Sequence, residues 1–207
     1  MFQHVVTSAD QLRDLMGQAN VGSLQKQTTY LTDDCVTFIA RSPFLLLATS
    51  SKDGRCDVSP KGDPNGFVRV LDSTHLAIPD RPGNKRFDGL QNIVENPQIG
   101  LIFLVPGRHE TLRVNGRAYI TYDSDLLDSM PVQGKRPWFV IGVEIEECFL
   151  HCGKAFLRSK LWEPEAWPDL ATVPTGGQLL SATRRGANAS VDDIDRGLVE
   201  SYRTNMY

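Results

Sequence analysis

Between Phe44 and Leu150 the chain runs through short strand-forming stretches broken by one helical stretch, and that order leaves few architectures open. Phe44–Ser50 is apolar and ends on Ser51-Lys52-Asp53-Gly54, a turn signal that predicts a hairpin with Cys56–Ser59. Phe67–Leu71 and His75–Ile78 follow, separated by Asp72-Ser73-Thr74. Ile99–Val105 reads as a buried strand, Leu112–Tyr122 alternates around Gly116, and Trp138–Leu150 supplies another long strand. The helix in this series, about Lys85–Glu95, stops at Asn96-Pro97. Six or seven strands meeting one helix argue for a closed or partly closed antiparallel barrel rather than a parallel sheet.

Helices flank this core. Residues 8–20 predict a short amphipathic helix with Leu12, Leu15, Met16 and Ala19 on one face. A second starts at the capping residue Thr32, with Asp33 and Asp34 suited to the positive end of the helix dipole, and must stop before Pro43. Ala155–Trp162 is helical again, a Pro/Gly-punctuated stretch follows, and Ser190 caps a last helix, Val191–Tyr202. The reading is one domain of 207 residues: a core over about 35–165, an N-terminal helical segment 1–34 and a C-terminal helical arm 163–207. The arm is too short to fold alone and is expected to pack on the barrel or on a partner subunit.

Composition narrows the function classes. A net charge of -3 gives no basic footprint for nucleic acid. The longest apolar run, Phe44–Ala48, is far too short to cross a bilayer, so no membrane partner is expected. Met1-Phe2-Gln3-His4 lacks the basic start and apolar stretch of a secretory signal, and the four cysteines are irregularly spaced. A reduced, cytoplasmic protein is the expectation.

The most informative stretch is Ile78-Pro79-Asp80-Arg81-Pro82-Gly83-Asn84-Lys85-Arg86. A strand ends, a Pro-Gly turn follows, and a helix is expected to begin with Asn84 as cap and Lys85 and Arg86 in its first turn. Cations there oppose the dipole at roughly 0.3–1 kcal/mol each. Three positive charges where free N–H groups already point outward therefore make an anion site, or else a solvated basic loop. It is neither a Walker A loop nor a Rossmann glycine pattern, since both motifs are absent.

Taken with Ser59-Pro60-Lys61-Gly62-Asp63, Gly66-Phe67-Val68-Arg69-Val70-Leu71-Asp72, Asn96-Pro97 and Arg113-Val114-Asn115-Gly116-Arg117-Ala118, this turn resembles the FMN-binding split barrels of the pyridoxamine 5'-phosphate oxidase-like group. The resemblance covers roughly residues 35–165 and implies a mainly β fold, an antiparallel split β-barrel with flanking helices, built as a homodimer around FMN. It assigns the FMN phosphate to Asn84, Lys85 and Arg86, with Arg81 in a loop about one residue longer than the family's. Arg69 matches the family's basic residue on the preceding strand, and Thr111 falls where the oxidase itself has glutamine; Ile78 belongs to the same cofactor-binding set. Reduction of the flavin places negative charge near N1 and the C2 carbonyl, so a fixed cation there raises its potential; Lys61, Arg69 and Arg113 are the candidates. Their bland reading is exposed strand charge. The flavin would carry the redox step, so no general base is required and no catalytic side chain stands out.

Lys154, Arg158 and Trp162 fall at i, i+4 and i+8, one face of the predicted helix, and with Ser159 form a candidate substrate-binding set. The alternative is an Arg–Trp pair on a structural helix. The oxidase's own C-terminal Trp and Arg pattern is not visible here, so the substrate is left unassigned and turnover of pyridoxamine 5'-phosphate is expected to be absent or slow. Cys148-Phe149-Leu150-His151-Cys152 places its cysteines on one face of a strand and His151 on the other, which argues for core cysteines and no metal. No Gly-x-Ser-x-Gly elbow is present, His75 and His109 sit at expected turns, and Arg184-Arg185 reads as a solvated kink. The activity implied is an FMN-dependent oxidoreductase acting on a small molecule. The alternative is a flavin-, deazaflavin- or haem-binding split barrel without oxidase turnover.

Overall fold

The computed structural model, which describes residues 1–18, 20–83, 85–183 and 189–207, places seven strands in one antiparallel sheet. These are β1 (Phe44–Ser50), β2 (Cys56–Gly62), β3 (Arg69–Val70), β4 (His75–Asp80), β5 (Gln98–Leu104), β6 (Thr111–Thr121) and β7 (Phe139–His151). They lie in the order β2-β1-β5-β6-β7-β4-β3. Alternation fixes the inner face: Leu45 and Leu47 of β1, Leu101 and Phe103 of β5 and Val114 of β6 are buried, with less buried residues between them. Each such side chain contributes roughly 1.5–3 kcal/mol by leaving water.

Helices are numbered in chain order: α1 (Ala9–Met16), α2 (Val21–Gln25), α3 (Asp33–Arg41), α4 (Asp88–Glu95), α5 (Ser124–Ser129), α6 (Lys154–Ser159), α7 (Gly176–Thr183) and α8 (Val191–Thr204). Ile39 of α3 and Ile93 of α4 join the sheet's apolar cluster. Thr32 caps α3 by accepting from Cys35 N–H, and Ser190 caps α8 by accepting from Asp193 N–H. The first predicted helix, over residues 8–20, ends early, since Gly17 closes α1 at φ 79, and α2 is a separate helix beyond the predicted range. The face of α1 that carries Leu12, Leu15 and Met16 is exposed. Ala19, Asn84 and Arg184-Arg185 lie outside the described residues. No helix among the described residues is long and apolar enough to cross a membrane.

The sheet is not closed, because its edge strands β2 and β3 do not pair. Side chains span the gap instead. Lys61 of β2 pairs with Asp80 of β4 at 2.5 Å, and Arg81 Nε donates to Asp63 Oδ2 at 2.6 Å. The split is therefore a seam of ion pairs where a barrel would have a ladder. Proline explains part of the opening. Pro60 continues β2 beyond the predicted end at Ser59, as an edge strand permits, and Pro79 lies in β4 past the two residues that β3 pairs.

Between β6 and β7 the register shifts at Asn115/Gly116, leaving Glu146 of β7 as the extra residue. A Cβ on Gly116 would collide with the carbonyl oxygen of Glu144 and lie 3.0 Å from its carbon. Gly116→Ala is expected to cost about 3 kcal/mol, at the upper end for overpacking because the obstacle is backbone. A urea midpoint unchanged from wild type would contradict this.

Candidate functional site

A cleft of about 660 Å³ opens where the end of β2, the loop after β4, the first turn of α4 and Trp138 meet. That volume lies in the range of small-molecule and cofactor sites, roughly 300–1,000 Å³. Lys61, Arg81, Lys85 and Arg86 all line it.

The loop differs from its prediction in a way that matters. Helix α4 starts at Asp88, not Lys85, and its cap position is Phe87, which gives no side-chain hydrogen bond. Lys85 takes a left-handed conformation, φ 57, which breaks the helical path ahead of Phe87. Lys85 and Arg86 thus stand in the loop before the helix rather than in its first turn, where they would oppose the dipole. The first N–H groups of α4 have no side-chain cap, and this is the arrangement that favours an anion.

Carboxylates hold the cations in place. Asp80 takes Lys61, Asp88 takes Arg86, and Asp63, whose side chain is 1% exposed, takes Arg81. Pairing with Asp88 raises the Arg86 pKa further above its ordinary value. Lys85 Nζ lies 6.0 Å from the centroid of the Trp138 ring. Arg81 also donates to the Met130 carbonyl at 2.9 Å, and Asp63 accepts from the Tyr207 hydroxyl at 2.8 Å. That hydrogen bond, with burial, raises the phenol's pKa.

Asp63, Asp80, Trp138 and Tyr207 were not among the residues the sequence singled out. Asp63 closes the quoted Lys61-Gly62-Asp63 motif, so a carboxylate two residues from a candidate cation was the available signal. Tyr207 gave none, being 144 residues from Asp63 in the chain.

The other candidates are distributed elsewhere. Arg69 donates to the Ser129 carbonyl at the C-terminal end of α5, the negative end of that helix, and does not line the cleft. Ile78 is fully buried in the apolar cluster, and Thr111 is buried opposite His151. Arg113 lines a second groove with Gln27, Asn115 and Glu147, where Asn115 Nδ2 and Gln27 Nε2 donate to the two Glu147 oxygens at 2.7 and 2.8 Å. The guanidinium of Arg113 sits 5.6 Å from the Phe149 ring centroid.

The face proposed for Lys154, Arg158 and Trp162 does not form. Helix α6 ends at Ser159 because Lys160 adopts a left-handed cap, so Trp162 lies beyond the helical register. Trp162 instead stacks on Phe156, with centroids 5.8 Å apart, and donates to the Arg108 carbonyl at 2.7 Å. Neither it nor Lys154, Arg158 or Ser159 lines the cleft.

Residues 31–152 match the family model described as pyridoxamine 5'-phosphate oxidase. No curated protein matches the chain. Solved structures similar to it include a Lactobacillus delbrueckii protein provisionally named a pyridoxamine 5'-phosphate oxidase, 28% identical over 59% of this chain and 95% of that one, TM-score 0.47. An FMN-binding protein from Syntrophomonas wolfei is 11% identical over 55% and 80% of the two chains, TM-score 0.42. HutZ, the heme storage protein of Vibrio cholerae, is 18% identical over 59% and 94%, TM-score 0.39.

Proposed function

The chain belongs to the pyridoxamine 5'-phosphate oxidase family, and from that premise we propose that it binds FMN and uses it to oxidise or reduce a small molecule. The observation that carries this reading is the convergence of Lys61, Arg81, Lys85 and Arg86 on one cleft at a helix start that no side chain caps. The donor set fits a phosphate monoester: Lys85 and Arg86 are the residues to hold it, backed by the first N–H groups of α4. Bound flavin supplies the two-electron redox chemistry.

The chain's own residues bind and orient. Lys61, fixed by Asp80, is the one of the three candidate flavin-tuning cations that shares this cleft. Trp138 offers an aromatic wall.

We also propose a homodimer in the cytoplasm. No residue of β2 is buried, and Val58 on it is 58% exposed, so this strand leaves apolar surface for a partner. One preparation tests both points. The full chain is expected to bind FMN with flavin absorbance and to scatter light as a species of twice 23.0 kDa. A titration that leaves flavin fluorescence unchanged would overturn the cofactor, and a monomer with FMN bound would overturn the dimer. NADH, NADPH and pyridoxamine 5'-phosphate offered under air then test turnover, which is expected to be weak or absent with the last.

A further inference from the structure

Of the four cysteines, two meet inside the fold. The Sγ atoms of Cys35 and Cys148 lie 3.8 Å apart, one in the first turn of α3 and the other on β7. Cys148 is 1% exposed, Cys35 is half-buried, and Cys56 and Cys152 are exposed. Both backbones are pinned. Cys148 exchanges two hydrogen bonds with Thr28, at 2.8 and 3.0 Å, and Cys35 N–H donates to the Thr32 hydroxyl at 3.3 Å. The sulfurs need to close by about 1.8 Å to reach a disulfide bond length of about 2.05 Å.

We propose that Cys35 and Cys148 are a paired-thiol modification site that closes reversibly to a disulfide, tying helix α3 to strand β7. The oxidant is a low-molecular-weight disulfide such as oxidised glutathione. The order of events follows from access. Cys35, as thiolate, attacks one sulfur of the external disulfide, forms a mixed disulfide and expels one thiolate. Cys148 then loses its proton, its sulfur attacks Cys35 Sγ, and the second external thiolate leaves. Two protein thiols are oxidised while one external disulfide is reduced to two thiols. Burial, then the neighbouring Cys35, pushes the Cys148 thiol up to about 12, which makes it the resolving and not the first-attacking group.

This site is independent of the cofactor reading and is tested without flavin. The full chain is incubated with excess oxidised glutathione, alkylated, and mapped by peptide mass spectrometry. The expected product joins Cys35 to Cys148, with a thermal midpoint raised on the order of 10 °C over the reduced form, as for a cross-link closing a loop of about a hundred residues. Cys148→Ser is expected to trap glutathione on Cys35, and Cys35→Ser to leave Cys148 unmodified. The proposal is overturned if both thiols remain alkylatable in the native wild type, if Cys35 pairs with Cys56 or Cys152, or if its glutathione adduct persists with Cys148 present. Cys35→Ser changes a half-buried position, so one informative variant remains should the buried Cys148 substitution fail to fold.

Discussion

Lys85→Ala and Arg86→Ala are each expected to weaken FMN binding by about 10- to 150-fold while leaving riboflavin almost unaffected. A charge-assisted hydrogen bond contributes roughly 1.5–3 kcal/mol, and about 1.4 kcal/mol is a factor of ten. Riboflavin lacks the phosphate, so it reports damage to the cleft that is not specific to the anion. The two variants differ in what they leave behind. Arg86→Ala frees Asp88, a carboxylate in the first turn of α4 and on the cleft wall, so the approaching phosphate meets an added negative neighbour. Lys85→Ala removes a cation that sits over Trp138 instead. The larger loss is therefore expected for Arg86. The double variant should fall short of the sum, because contacts sharing one phosphate are coupled. Fluorescence titration of both flavins decides it: equal FMN affinities for wild type and folded variants would mean the phosphate site lies elsewhere.

Arg81→Met is expected to destabilise the flavin-free protein by about 3–5 kcal/mol, the cost of leaving a buried charge without its partner. Among the described residues Asp63 keeps only the Tyr207 hydroxyl in that variant, and its side chain is 1% exposed. For a chain of this size that lowers the thermal midpoint by roughly 6–20 °C. Adding Asp63→Leu should recover much of the loss, since a buried ion pair replaced by apolar groups is often near neutral. A surface pair would show neither the loss nor the recovery. If the midpoint moves by a degree or less in the single variant, the seam is not held by this pair.

The strand series was legible because its signals are local. The apolar run Phe44–Ser50, alternation in Leu112–Tyr122, turn residues between strands, and Asn96-Pro97 after α4 each act within a few residues, and seven strands lie at those places, although β3 keeps only Arg69–Val70 of the expected Phe67–Leu71. What escaped is set by contacts distant in sequence. The three-residue delay in the start of α4 comes with the left-handed Lys85, a conformation that residue type does not announce. Helix α7 was hidden in a Pro/Gly-rich stretch. Its two glycines sit where a Cβ would strike α8, with Gly177 held by Asp195 from 18 residues away. Within the candidate site the cations were visible as a charge cluster, whereas two of the pairings that orient them cross between stretches, Lys61 with Asp80 and Arg81 with Asp63.

Pro60 and Pro79 bear on a hazard that any open sheet carries. An unpaired edge is a template on which a foreign strand can add, and a row of N–H and C=O groups is what that strand needs. Each of these prolines removes a donor from its row, on β2 and on the stretch of β4 that β3 leaves uncovered. Lys61 follows Pro60 directly and adds a charge that an incoming strand would have to desolvate. Copies of this chain crowded together therefore find the β2 edge and the uncovered end of β4 poorly suited to extension into fibres.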